Sequence, residues 1–174
     1  MPSRRQFLKV GLASGLVLAG AGWLALRRGP AGGYQWLDRR SAAIVTALVP
    51  AVLDGALPAD GPARSAAVRE TTAAFDRAVS GLSPAVQEEI GQLFSLLGLA
   101  AGRFIVAGVR SSWSEATGEE VSAFLARWRN SRFALLRAGY QALTQLVLAA
   151  WYGNPASWSG IAYPGPPPLD ARAS

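Results

Sequence analysis

Ala66-Ala67-Val68-Arg69-Glu70-Thr71-Thr72-Ala73-Ala74-Phe75-Asp76-Arg77-Ala78-Val79-Ser80-Gly81-Leu82 is the best-patterned stretch of the chain. Val68, Thr72, Phe75, Val79 and Leu82 recur in alternating steps of four and three, the spacing of one helix face, while Arg69, Glu70, Asp76 and Arg77 fall off that face. A helix with a single apolar stripe must bury it against another element, and the flanking sequence supplies elements of the same kind. Upstream, Ile44, Val45, Leu48, Val49 and Val52 predict a helix from about Asp38 to Leu53. Pro50 falls near its end, where the missing N–H releases the Thr46 carbonyl and bends or stops the helix. Leu57-Pro58-Ala59-Asp60-Gly61-Pro62 reads as a turn.

Downstream, Ser83-Pro84 restarts the chain as N-cap and first helical residue, and Val86, Ile90, Leu93 and Leu97 form a third stripe ending at Gly98. A shorter helix is expected over Ala101 to Val109. Thr117 and Glu120 have capping-box spacing ahead of Val121, Phe124, Leu125 and Trp128. Asn130 or Ser131 is expected to cap a last long helix, whose buried stripe is Leu136, Tyr140, Leu143, Val147 and Trp151 and whose stop is Gly153-Asn154-Pro155. Trp113, Trp128 and Trp151 are expected in the core. No run alternates with a period of two and no segment repeats, so the expected fold is all-α, a single bundle of about five helices over residues 36–153.

Outside the bundle the composition changes at both ends. Residues 154–174 are dense in proline and aromatics, with Trp158 and Tyr163-Pro164-Gly165-Pro166-Pro167-Pro168, and are expected to be extended. Two readings stand: the tail tucks Trp158 and Tyr163 against its own domain, or it is a stiff arm whose Trp158, Tyr163 and Pro164 dock on another protein. Arg127, Arg129, Arg132 and Arg137 cluster around the junction of the last two helices. They form either a solvated face or, through Arg129 and Arg132, charge-assisted contacts with an acidic partner. Glu88-Glu89 and Glu119-Glu120 stand near helix starts, where negative charge suits the helix dipole.

The first 28 residues form a segment of their own. Ser3-Arg4-Arg5-Gln6-Phe7-Leu8-Lys9 precedes an uncharged run from Val10 to Leu26, broken by Gly11, Gly15, Gly20 and Gly22 and closed by Arg27-Arg28. Paired arginines, then Phe7, Leu8 and Lys9 before a moderately apolar segment, match a twin-arginine export signal, an address read by a translocase. Either the signal is cut, with Ala19-Gly20-Ala21 as the small-residue site, or it stays as an anchor. As a helix the run would be about 26 Å long, close to the ~30 Å hydrocarbon core. Gly29-Pro30-Ala31-Gly32-Gly33 then begins a linker over residues 29–35.

Charge and composition narrow the function. Of 17 Lys and Arg, five lie in the first 28 residues, which leaves 12 bases against 11 acids; the body is nearly neutral, and nucleic acid is not an expected partner. The chain has no His and no Cys, and its single Met is the initiator. The usual ligands for haem, iron–sulfur clusters and zinc, and the Cys and Ser–His nucleophile systems, are therefore missing. No catalytic, cofactor-binding or metal-binding residue is assigned, and the chain is not expected to be an enzyme.

The leader, Leu48-Val49-Pro50 at the end of the first helix, Phe75-Asp76 in an Ala-rich second helix, Tyr152-Gly153-Asn154-Pro155, Trp158 and Tyr163-Pro164-Gly165-Pro166 together resemble the gluconate 2-dehydrogenase subunit 3 family. The resemblance implies a non-catalytic small subunit of an exported FAD-dependent sugar or alcohol dehydrogenase of the glucose-methanol-choline type. Such a subunit binds the folded flavoprotein, which has no signal of its own, and takes it through the twin-arginine translocase in a chaperone-like role. FAD would sit on that partner, and a cytochrome c subunit would take its electrons. The expected location is the periplasm, with the inner membrane reached through the N-terminal helix if the leader is kept. The alternative is a stand-alone, membrane-tethered periplasmic helical protein with a ligand-binding or structural role.

Overall fold

The computed structural model describes residues 30–155, 157–158 and 164–165. The signal residues Ser3, Arg4, Arg5, Phe7, Leu8 and Lys9, together with Tyr163 and most of the tail, lie outside the described residues. Within them the structure is helical, without strands: α1 (Arg39–Val52), α2 (Pro62–Ser80), α3 (Pro84–Gly98), a π-helical turn (Gly102–Ala107), α4 (Gly118–Arg129) and α5 (Ala134–Tyr152). Helix α1 packs against each of the other four long helices, and α2 lies along α5. That central position explains its composition: Ile44, Val45, Leu48 and Val49 are all fully buried.

Asp38 caps α1, its Oδ1 accepting from the Ser41 amide at 2.7 Å. Pro50 does not end the helix, which runs two residues further and closes with the Leu53 amide on the Val49 carbonyl at 3.0 Å. Val49 and Leu53 are anchored in the core on either side of it, so a last turn with one missing donor persists. In α2 the expected face is buried at Val68, Thr72, Phe75 and Val79, and Leu82 packs beside it. Thr71 and Thr72 satisfy their buried hydroxyls on the carbonyls of Ala67 and Val68.

Asp76 corrects the sequence reading. Expected off the apolar face, it is 2 % exposed. Its Oδ1 accepts from the amides of Trp36 (2.8 Å) and Leu37 (2.7 Å), and its Oδ2 from that of Gln35 (2.7 Å). The segment it holds is already bent into a loop, with the Ala31 amide on the Leu37 carbonyl and the Tyr34 amide on that of Ala31. Three successive N–H groups facing one way make a concave anion seat, and the carboxylate fills it. Residues 35–37 are therefore part of the folded body.

The third stripe also shifts. Val86 is exposed and Leu93 only half-buried; Ile90, Phe94 and Leu97 face the core. Phe94 makes edge contacts with Trp36 and Phe75, each with centroids 5.8 Å apart, and this aromatic packing sets the rotation of α3. Ser83 takes the cap position of α3 without a side-chain hydrogen bond. Ala101–Val109, expected as a helix, is a six-residue π-helical turn closed by Gly108 at φ +62°. The capping box at Thr117 and Glu120 forms as expected. Helix α5 starts after Phe133, later than Asn130 or Ser131; the Ser131 Oγ accepts from the Phe133 amide and shapes the preceding turn instead.

Trp113, Trp128 and Trp151 are buried. Trp113 donates to the Leu97 carbonyl (2.8 Å) and Trp128 to the Val106 carbonyl (3.0 Å), so α3, the π-helical turn and α4 are joined through indole N–H groups. Phe124 stacks edgewise on both, 5.7 Å from Trp113 and 4.8 Å from Trp128. Helix α5 reaches this cluster at Gly139, where a Cβ would meet the Trp128 ring at 2.5 Å.

Two stability changes are expected. Asp76→Ala orphans three amides of the Gln35–Leu37 segment and costs on the order of 3–5 kcal/mol by urea denaturation, with faster amide exchange at residues 35–37; Asp76→Asn, which keeps one acceptor oxygen, costs less. Gly139→Ala destabilises by about 1–3 kcal/mol, because the fixed Trp128 ring outweighs the ~1 kcal/mol that helix propensity alone would give to alanine. An unchanged melting temperature for Gly139→Ala would contradict that close approach.

Candidate functional site

One candidate surface is a line of side chains along α5. Tyr140, Thr144, Leu148 and Tyr152 follow at every fourth residue and so form one ridge. The buried stripe read from the sequence, from Leu136 to Trp151, runs beside it. Tyr140 and Thr144 are half-buried, while Leu148 and Tyr152 are 37 % and 39 % exposed. The Thr144 hydroxyl turns back onto the Tyr140 carbonyl at 2.8 Å, which leaves the ridge largely apolar.

Arg129 stands at one end of the ridge. With Tyr140, Thr144 and Leu148 it borders a groove of about 330 Å³, whose floor comes from the end of α1 and from α4. At the other end, the Trp158 indole N–H donates to the Tyr152 carbonyl at 2.8 Å, and its ring lies where a Cβ on Gly165 would approach to 2.9 Å. Gly165 has φ +97°, so the chain turns over the indole at a residue that tolerates both the conformation and the contact. Trp158 is half-buried and folded against the end of α5; Pro164 beside it is exposed. Arg129 thus borders the groove beside the ridge, and Trp158 with Pro164 lies at the C-terminal end of α5.

Arg132 does not border that groove. Its guanidinium lies 4.8 Å from the centroid of the Phe133 ring. The other two arginines of the cluster have structural tasks: Arg127 donates to the Ala107 carbonyl beside Gly108, and Arg137 donates to the Ser131 carbonyl at 2.7 Å. Between described residues Arg64 pairs with Asp60 at 3.6 Å, and no Asp or Glu occurs between Val121 and Leu169. The positive charge of Arg129 therefore faces solvent beside an apolar ridge.

A second concavity, about 590 Å³, opens between the Pro30–Ser41 segment and α3. Trp36 and Phe94 form its aromatic part. Asp38 is committed to the Ser41 amide and Gln87 to the carbonyls of Ser80 and Leu82, which leaves Arg40 and Glu88 as its other charged groups. Among the described residues no group of His, Cys, Asp and Glu is arranged to hold a metal ion, and no helix is long and apolar enough to cross a membrane. Comparison of the chain with family models, curated proteins and solved structures gives no match.

The Glu120 carboxylate is held below its ordinary range. The Ser111 hydroxyl (2.9 Å) does most to favour the charged form, followed by the Thr117 amide (3.3 Å) and the amide of Arg110 (3.3 Å). A lowered folded value means stability that is present above the unfolded value of 4.5 and is lost as pH falls through the folded one. Glu120→Gln should therefore lower the melting temperature at neutral pH, and the gap to the parent chain should narrow on acidification below pH 4.5. A gap that is constant across this range would show that the carboxylate's charge is not what matters.

Proposed function

We propose that the chain is the non-catalytic small subunit of an exported FAD-dependent dehydrogenase complex of the glucose-methanol-choline type. It binds the folded flavoprotein and carries it through the twin-arginine pathway to the periplasm. The observation that carries the reading is the signal stretch Ser3-Arg4-Arg5-Gln6-Phe7-Leu8-Lys9, joined in one chain to a body without His or Cys. A flavoprotein must fold around its cofactor before export, and a route that takes folded proteins is the one that suits it. FAD belongs to the partner, from which a cytochrome c subunit takes electrons.

The α5 ridge supports this reading as the docking face. It offers Arg129 for a carboxylate, Leu148 and Tyr152 for apolar contact, and an aromatic and proline end at Trp158 and Pro164, to which the sequence adds Tyr163. The membrane is reached through the leader where it is retained. The rival reading, a stand-alone tethered protein with a small ligand, has the cleft beside Trp36 in its favour.

Affinity purification of the tagged full chain from its host's envelope separates them. A near-stoichiometric flavin-containing protein is expected to come with it, to be lost with Arg129→Glu plus Leu148→Asp, and to be stranded in the cytoplasm with the chain by Arg4→Lys plus Arg5→Lys. A chain recovered alone, colourless and monodisperse, would sink the proposal and turn attention to the cleft.

A further inference from the structure

The largest exposed apolar side chains are not on the α5 ridge. Phe104 and Ile105 on the π-helical turn are 60 % and 77 % exposed, and Phe133 and Leu135 at the start of α5 are 56 % and 81 % exposed. Both pairs hang from one residue. The Trp128 indole N–H holds the Val106 carbonyl, next to Ile105, and the turn that leads from α4 into Phe133 closes with the Ser131 amide on the Trp128 carbonyl. Arg127 ties the same two segments through the Ala107 carbonyl. The four side chains therefore lie near one end of the bundle, two on the π-helical turn and two at the start of α5, on segments bonded to a buried tryptophan.

The charge around this end is predominantly positive, with Glu115, Glu119 and Glu120 confined to the approach and first turn of α4. Residues 91–114 contain Arg103 and Arg110 and no acid, and α4 from Val121 through α5 contains four arginines and no acid. Arg132 lies over the Phe133 ring, which places a guanidinium directly beside an apolar tip.

We infer that this end docks on the surface of an anionic lipid bilayer, with Phe104, Ile105, Phe133 and Leu135 entering the headgroup–acyl boundary and Arg132 meeting lipid phosphate. A bilayer fits better than a protein for three reasons. The four side chains project, and neither concavity described above includes any of them, whereas a protein contact pairs knobs with pockets. They are Phe, Ile and Leu, and Phe and Leu are typical of the apolar face of an interfacial segment. A predominantly positive field beside apolar tips is the arrangement that holds interfacial segments on anionic membranes. Arg132 then serves lipid, and Arg129 on the ridge serves protein.

The absence of Cys makes the test direct in the full chain. Single-cysteine variants Ile105→Cys and Leu135→Cys, and the reference Ala85→Cys at the far end of α3 from the π-helical turn, carry an environment-sensitive fluorophore. Each is added to vesicles with brominated acyl chains, either phosphatidylcholine alone or with roughly one-third phosphatidylglycerol. On the anionic vesicles the labels at 105 and 135 should shift to the blue and be quenched several-fold more than the label at 85; on neutral vesicles all three should stay aqueous. Adding Arg132→Gln to Leu135→Cys should weaken the label's response to anionic lipid about fivefold. The inference is overturned if the labels at 105 and 135 stay as aqueous as that at 85 while the chain sediments with the anionic vesicles, or if only a co-purified protein shields them. These labels report contact at two named positions, so the outcome does not depend on the export reading.

Discussion

A buried carboxylate seated in three consecutive backbone amides holds this molecule together at its beginning. Asp76 sits on α2, and the amides belong to Gln35, Trp36 and Leu37, so one side chain fixes the segment that leads into α1. Much else follows from that placement. Trp36 is set against Phe94, Phe94 against Phe75, and α3 takes its rotation from this packing. Asp38, one residue past the seat, caps α1, and α1 is the helix on which all the others pack. Burial of the charge is tolerated because each of its hydrogen bonds to water is replaced by one to an amide that would itself be orphaned.

The fold was legible where one rule decided the outcome. Period in α2, the capping box ahead of α4 and the proline start of α3 each state a local requirement, and each was met. The sequence misled where two rules competed. Asp76 looks like a solvent residue because its partners lie about forty positions away and are backbone, which no side-chain pattern reveals. Val86 has the spacing of the α3 stripe, but the larger Phe94 two turns on takes the core and turns Val86 outward. The π-helical turn could not be read, since Gly102 approaches the Leu96 carbonyl so closely that a Cβ would sit 1.9 Å from it, a tertiary fact.

The candidate site was partly visible. Arg129 and Trp158 were marked by residue type alone; the structure sets Arg129 on a groove beside a ridge of α5 and Trp158 at that helix's end, and the ridge's fourth-residue spacing lay beside the stripe read as buried. Of the four clustered arginines, two turned out to secure carbonyls. A guanidinium has enough donors to look the same in sequence whether it meets a partner or a loop. Phe104, Ile105 and Leu135 were missed because none lies on a periodic stripe: the first two sit on the short π-helical turn, and Leu135 is on the exposed side of the first turn of α5.

The seat at Asp76 also imposes an order on synthesis. The three amides leave the ribosome 39 to 41 residues before the carboxylate that satisfies them. At the usual elongation rates of about 5–20 residues per second, the start of the body waits roughly two to eight seconds with those donors bound to water. During that interval α1 has a cap but no second helix to lie on. The closing of α2 onto residues 35–37 is therefore a timing event as well as a contact: until Asp76 emerges, those three amides lack the carboxylate that seats them.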